Sequence, residues 1–160
     1  MAVPESLLDL VQPWATLYGD TQAVSLAIVF LHLAALMVGG GRALAADGEV
    51  LRAGGPDTAL FSRLGRAHGV VIPALAISVS TGALMTAADL EHFAQSSAYQ
   101  LKLLSVLLLM MNGLWMRFNE REAAAIGGGA AFGRLRLSAF LSATLWLATL
   151  LAGCWLQVGG

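Results

Sequence analysis

Charge is what this sequence has least of. Only 12% of its 160 residues are Asp, Glu, Lys or Arg, about half the ~25% typical of a soluble domain, whereas 58% are hydrophobic. A water-soluble protein of this length needs more polar surface than that composition supplies. The net charge of −1 provides no basic footprint, so nucleic acid is not an expected partner. Cys154 is the single cysteine, which excludes an internal disulfide; in its charge-free run it is expected to pack. Residues 1–20 lack a basic stretch and a small-residue cleavage site, so they are not expected to be a cleaved signal peptide. No repeat of the ~20–50-residue kind is visible, and residues 1–160 are expected to form one membrane domain.

What the chain has in abundance is uninterrupted apolar sequence. Thr21 to Gly41, Ala67 to Ala88 and Leu137 to Gly160 carry no charge, and each reaches the ~20 residues that a membrane-spanning helix requires. Leu103 to Met116 is shorter. It becomes a full span if it starts near Ala98, with Lys102 and Arg117 extending their charged ends to the interfaces. In lipid every backbone N–H and C=O must be paired within its own segment, so these runs are expected to be helices. The expected fold is an all-α integral membrane protein, an antiparallel four-helix transmembrane bundle with spans at about 21–43, 67–88, 98–117 and 137–157.

The few charges are sorted by side. Arg42, Arg52, Arg63 and Arg66 lie in the loop 42–66, and Arg117, Arg121, Arg134 and Arg136 in the loop 117–136. By the positive-inside rule both loops are expected on the cytoplasmic face of a bacterial-type inner membrane, with both termini outside. Glu5, Asp9, Asp20, Asp89, Glu91 and the lone Lys102 fall on the other side. In PESLLDLVQPWATLY, Pro4 stands near a helix start, and Leu7, Leu8, Val11, Trp14 and Leu17 recur at helical spacing. That pattern predicts a short amphipathic helix lying on the outer interface. Gly54-Gly55-Pro56 and Gly127 to Gly129 are turn signals inside the two loops. Gly39, Gly40 and Gly41 either fray the end of the first span or, with Ala35, allow a neighbouring helix close approach. Such small-residue faces would also serve a partner membrane protein or a second copy of the chain. Met37, Met85, Met110, Met111 and Met116 are expected to fill the core, the alternative being a Cu(I) path.

One residue breaks the apolar pattern of the first span. In FLHLAALMVGGGRA, His32 sits 11 residues in from Thr21, hence about 16 Å below the surface. The same rise puts Ser78, Asn112 and Trp146 at similar depths, roughly 15–16 Å, so a shared polar layer is expected. One reading is a hydrogen-bonded clasp between helices. The other is a site in which His32 ligates a haem iron or a metal, or relays protons, with Ser78, Asn112 and Lys102 assisting. An upright haem would bring its propionates toward Lys102, whose other option is ordinary snorkelling. His68 is expected at the interface near Arg63 and Arg66, about 12–15 Å from His32 along the membrane normal. His92, beside Asp89 and Glu91, is a weaker metal candidate in a solvated loop.

FLHLAALMVGGG, LFSRLGRAHGVVIPALAISVSTGALM and AYQLKLLSVLLLMMNGLWMRFNER together resemble the four-helix membrane module of the copper-resistance protein D family, over about Phe30 to Arg121. The matching elements are the first-span histidine with its small-residue turn, the arginine and apolar run ending Thr81-Gly82, and the approach from Tyr99 to Lys102. The chain is also similar to the J-type membrane protoporphyrinogen oxidases in the first-span His32 and in Lys102 heading the third span, and differs from them at Gln100. These resemblances imply a module handling haem b or copper at His32 with Lys102; the alternatives are an accessory subunit without a cofactor and a porphyrinogen oxidase.

Overall fold

The computed structural model describes residues 3–126 and 129–158. They form six helices: α1 (Glu5–Asp20), α2 (Gln22–Arg52), α3 (Thr58–Ala88), α4 (Leu90–Gln95), α5 (Ser97–Ile126) and α6 (Gly129–Val158). There is no strand among the described residues. Four of the helices, α2, α3, α5 and α6, are long and apolar enough to cross a membrane. Local chemistry sets their ends. Thr21 adopts an extended conformation that separates α1 from α2. Gly54-Gly55-Pro56 makes the turn after α2, and the Asp57 carboxylate accepts the Ala59 N–H at 3.2 Å to cap α3. Asp89 departs from helical geometry and ends α3, and the Ser96 hydroxyl accepts the Tyr99 N–H at the start of α5. Pro73 lies inside α3 without ending it, as membrane helices tolerate where neighbours re-satisfy the freed backbone.

The helices outrun the expected spans. Residues 42–66 are not a loop: α2 continues to Arg52 and α3 begins at Thr58. Likewise α5 runs to Ile126 and α6 starts at Gly129, with Gly127 and Gly128 of the second turn signal outside the described residues. Charge ends a hydrophobic run without ending a helix, because Arg and Glu are good helix formers. At 31 residues, α2 is about 46 Å long against a hydrocarbon core of ~30 Å.

Cross-helix contacts fix the arrangement. Glu49 meets Arg63, Gly39 meets Ala74 and His32 meets Gly82, so α2 and α3 are antiparallel. The same inverse order holds for α5 with α6, from Asn112–Ser138 to Glu122–Arg134, and for α2 with α6, from Gly40–Trp146 to Leu51–Arg136. The bundle is therefore two helical hairpins, α2–α3 and α5–α6, joined along α2 and α6, while α3 and α5 touch sparsely. Arg63, Arg134 and Arg136 gather with Glu49 and Glu122 at one end, called the basic end here.

Two kinds of packing hold the bundle. Near the basic end Val50, Leu60, Leu64, Phe132 and Leu135 form a conventional core, and Val50, Leu60, Leu64 and Leu135 are at most 1% exposed. These residues lie in the helical extensions beyond the expected spans. Within the apolar stretch, lipid tails are as apolar as Leu, so close approach and hydrogen bonds matter more. There α2 presents Ala35, Gly39 and Gly40, which run through in helical conformation with no fraying. A Cβ on Gly39 would lie only 2.8 Å from the Ala74 Cβ, and one on Gly40 3.2 Å from the Trp146 ring. Those glycines permit the contact of α2 with both neighbours. Along the α5–α6 seam, buried Ser105, Leu109, Asn112, Met116 and Asn119 recur three and four apart, the spacing of a left-handed helix pair.

The outer surface is apolar: Phe30, Met37, Leu114 and Leu151 are each at least 67% exposed. Met37, Met110 and Met111 thus face outward rather than filling the core, and Cys154 is exposed rather than packed. In a lipid-facing bundle an outward apolar side chain carries no hydration penalty. No residue of α1 is buried; it lies against α3 and α2, with the Trp14 indole N–H donating to the Leu84 carbonyl at 2.7 Å.

Candidate functional site

His32 faces α3. Its Nδ1 lies 2.9 Å from the Ser78 carbonyl oxygen and 3.1 Å from the Thr81 hydroxyl. The Thr81 hydroxyl is itself 2.7 Å from the Ile77 carbonyl and 3.1 Å from that of Ser78. Since the Ser78 carbonyl only accepts, Nδ1 carries the proton. The imidazole is then fixed as the tautomer with a free lone pair on Nε2, which has no hydrogen-bond partner among the described residues. An N–H held by a backbone carbonyl is the support that orients a ligating imidazole and raises its basicity. Gly82 makes room for this placement, since a Cβ there would be 3.3 Å from His32 Cε1.

His32 borders a cavity of about 220 Å³ that opens between α3 and α5. Ser78, Thr86, Tyr99, Lys102, Trp146 and Thr149 contribute its other polar-capable side chains. Lys102 does not snorkel away: it is partly buried, and its Nζ would lie 3.9 Å from a Cβ on Gly153 of α6. It forms no ion pair among the described residues. A cation inside an apolar cleft without an acidic partner leaves room for an anionic group from outside the chain. Thr86 and Tyr99 hydrogen-bond each other at 2.9 Å and tie α3 to α5 at the cavity's outer edge.

The expected polar layer divides in two. Asn112 does not join His32; its amide donates to the Ser138 carbonyl at 3.0 Å and its oxygen accepts from the Ser138 hydroxyl at 3.1 Å. It is part of an α5–α6 clasp and does not line the His32 cavity. Trp146 stands against Gly40, eight residues along α2 from His32, or roughly 12 Å. Depths counted from the ends of charge-free runs go astray because the helices continue past those ends. His68 is partly buried and pairs with Glu120 of α5, Nδ1 to Oε2 at 3.4 Å. His92 is exposed on α4, its ring edge-on to Phe93. No group of three or more His, Cys, Asp or Glu that could hold a metal ion occurs among the described residues.

Two residues escaped the sequence reading. Thr81 mattered only as part of a motif, although its spacing of three from Ser78 places both on one helical face. Asp47 lies in the stretch 42–66 expected to be a loop, yet it is 2% exposed on the inward face of α2. Its signal was an acid three residues from Val50 and four from Ala43 in a helix-period pattern of apolar residues. Compared with protein-family models, with curated proteins and with solved structures, the chain finds no match.

Proposed function

We propose that the chain is a membrane module that binds a tetrapyrrole such as haem b in the cleft between α3 and α5. The carrying observation is the His32 ring, anchored through Nδ1 to the Ser78 carbonyl and bordering the same cavity as the unpaired Lys102. One imidazole suffices for this ligand, because the macrocycle supplies the remaining nitrogens. Copper held by side chains alone requires several donors, and no group of three or more His, Cys, Asp or Glu occurs among the described residues to supply them. At about 220 Å³ the cavity is smaller than the ~300–1,000 Å³ usual for organic ligands, so a tetrapyrrole held by His32 would lie within it only in part. His32 holds the iron, Lys102 pairs with a carboxylate of the ligand, and the aliphatic walls exclude water. The bound group supplies one-electron chemistry.

The positive-inside rule assigns the basic end to the cytoplasm of a bacterial-type inner membrane, with both termini outside and α1 on the outer surface. Single cysteines at Gly54 and Asp20, in a Cys154→Ala background, test this by labelling with an impermeant maleimide in sealed cells; Asp20→Cys should react and Gly54→Cys should not.

Protein purified from cells supplied with haem and copper tests the ligand. The expected result is a Soret band that disappears in His32→Ala and weakens in Lys102→Met. A colourless wild type with an intact α-helical spectrum would refute the proposal and leave the bundle as a structural or accessory subunit.

A further inference from the structure

Below Trp146, toward the basic end, lies a second and larger cavity of about 380 Å³. Leu75, Leu109 and Trp146 border both cavities and divide them. The lining of the second is apolar except for Asp47, His68, Arg117 and Ser142. His68 is already paired with Glu120. Asp47 is only partly satisfied: it is 2% exposed, Ser142 lies beside its carboxyl, and its Oδ2 has no hydrogen-bond partner among the described residues. A buried carboxyl oxygen in that condition is costly, and a hydrogen-bond donor arriving in the cavity relieves the deficit.

The cavity itself describes that donor. Ile72, Met110 and Leu114 line it and are 44–72% exposed on the outer surface. The approach between α3 and α5 is therefore apolar, and the ligand is soluble in lipid. Arg117 shares the lining, so a cationic amine would meet like charge, whereas a neutral hydroxyl would not. The indole of Trp146 offers a flat wall suited to an aromatic ring. A hydroxyl oxygen that donates to Asp47 keeps acceptor capacity, for which Arg117 carries donors.

We infer that this cavity binds an uncharged, membrane-soluble phenol, with its O–H donated to the Asp47 carboxyl. The site is separate from the His32 cavity and does not depend on a tetrapyrrole being bound there.

Titration calorimetry on the full chain in lipid nanodiscs, with empty nanodiscs subtracted, compares para-heptylphenol with its methyl ether, which has the same body without the donor. The phenol should bind at least about tenfold more tightly, the difference made by one hydrogen bond to a buried carboxyl. Asp47→Leu should erase that preference. Gly113→Leu should abolish saturable phenol binding, since Gly113 lines the cavity and a Cβ there meets nothing within 4 Å; this variant also gains helix propensity and folds whatever the fate of the Asp47 variant. Equal binding of phenol and ether, no saturable binding of either, or phenol binding unchanged in Gly113→Leu would overturn the inference and leave water as the partner of Asp47.

Discussion

Gly39→Ala adds a single methyl group at the closest approach between α2 and α3. The new Cβ would lie 2.8 Å from the Ala74 Cβ, where carbon atoms in ordinary contact are about 3.5–4.0 Å apart. The two helices must therefore separate by roughly 1 Å at that level. Overpacking of this kind costs about 1–3 kcal/mol, and the better helix propensity of Ala returns about 1 kcal/mol. Gly41→Ala is the internal control: it lies two residues along the same helix, and its Cβ meets nothing within 4 Å. It should show the propensity gain alone, so the two variants should differ by about 1–3 kcal/mol. Ala74→Gly removes the colliding atom and should restore most of the loss in the Gly39→Ala background. The assay is reversible unfolding by dodecyl sulfate titration in mixed micelles, followed by far-UV circular dichroism. The His32 anchor lies seven residues away, about two turns, so Gly39→Ala should also stretch the Nδ1 contact to the Ser78 carbonyl and weaken haem retention. The reasoning fails if Gly39→Ala and Gly41→Ala agree within about 0.5 kcal/mol, or if Ala74→Gly gives no rescue.

Other perturbations probe the remaining contacts. Leu64→Ala, in the core at the basic end, should cost about 2–5 kcal/mol in the same titration, whereas Leu114→Ala on the outer surface should cost under about 0.5 kcal/mol. Asn112→Ala removes both hydrogen bonds to Ser138 and should cost about 0.6–2 kcal/mol, with the Soret band unchanged because Asn112 does not line the His32 cavity. Trp14→Phe deletes the bond to the Leu84 carbonyl; amide exchange should accelerate throughout α1 and stay constant in α2, α3, α5 and α6.

The number of long apolar helices was legible because hydrophobic run length reports directly on the thickness to be crossed. Their true ends were not, since Arg52, Arg63 and Arg121 interrupt hydropathy while remaining good helix residues. His32 stood out through chemistry alone, as an imidazole in an apolar run. Its partners did not: whether it meets Ser78 and Thr81 or Asn112 depends on the relative height and rotation of three helices, and the rise per residue fixes height only when the reference surface is known. Lys102 was ambiguous for a related reason, because a lysine at a span's edge can turn either way until its ammonium is seen beside Gly153 of α6. Asp47 was missed because it was assigned to a loop, where a carboxylate needs no partner.

The placement of the large apolar core at the basic end, with small residues elsewhere, means that two different solvents hold this protein together. Urea weakens cohesion wherever it reaches apolar and peptide groups from the aqueous phase, and it reaches the projecting stem of Val50, Leu60, Leu64 and Leu135 but not the lipid-embedded half. In an intact bilayer the stem should therefore loosen first, leaving the transmembrane half assembled.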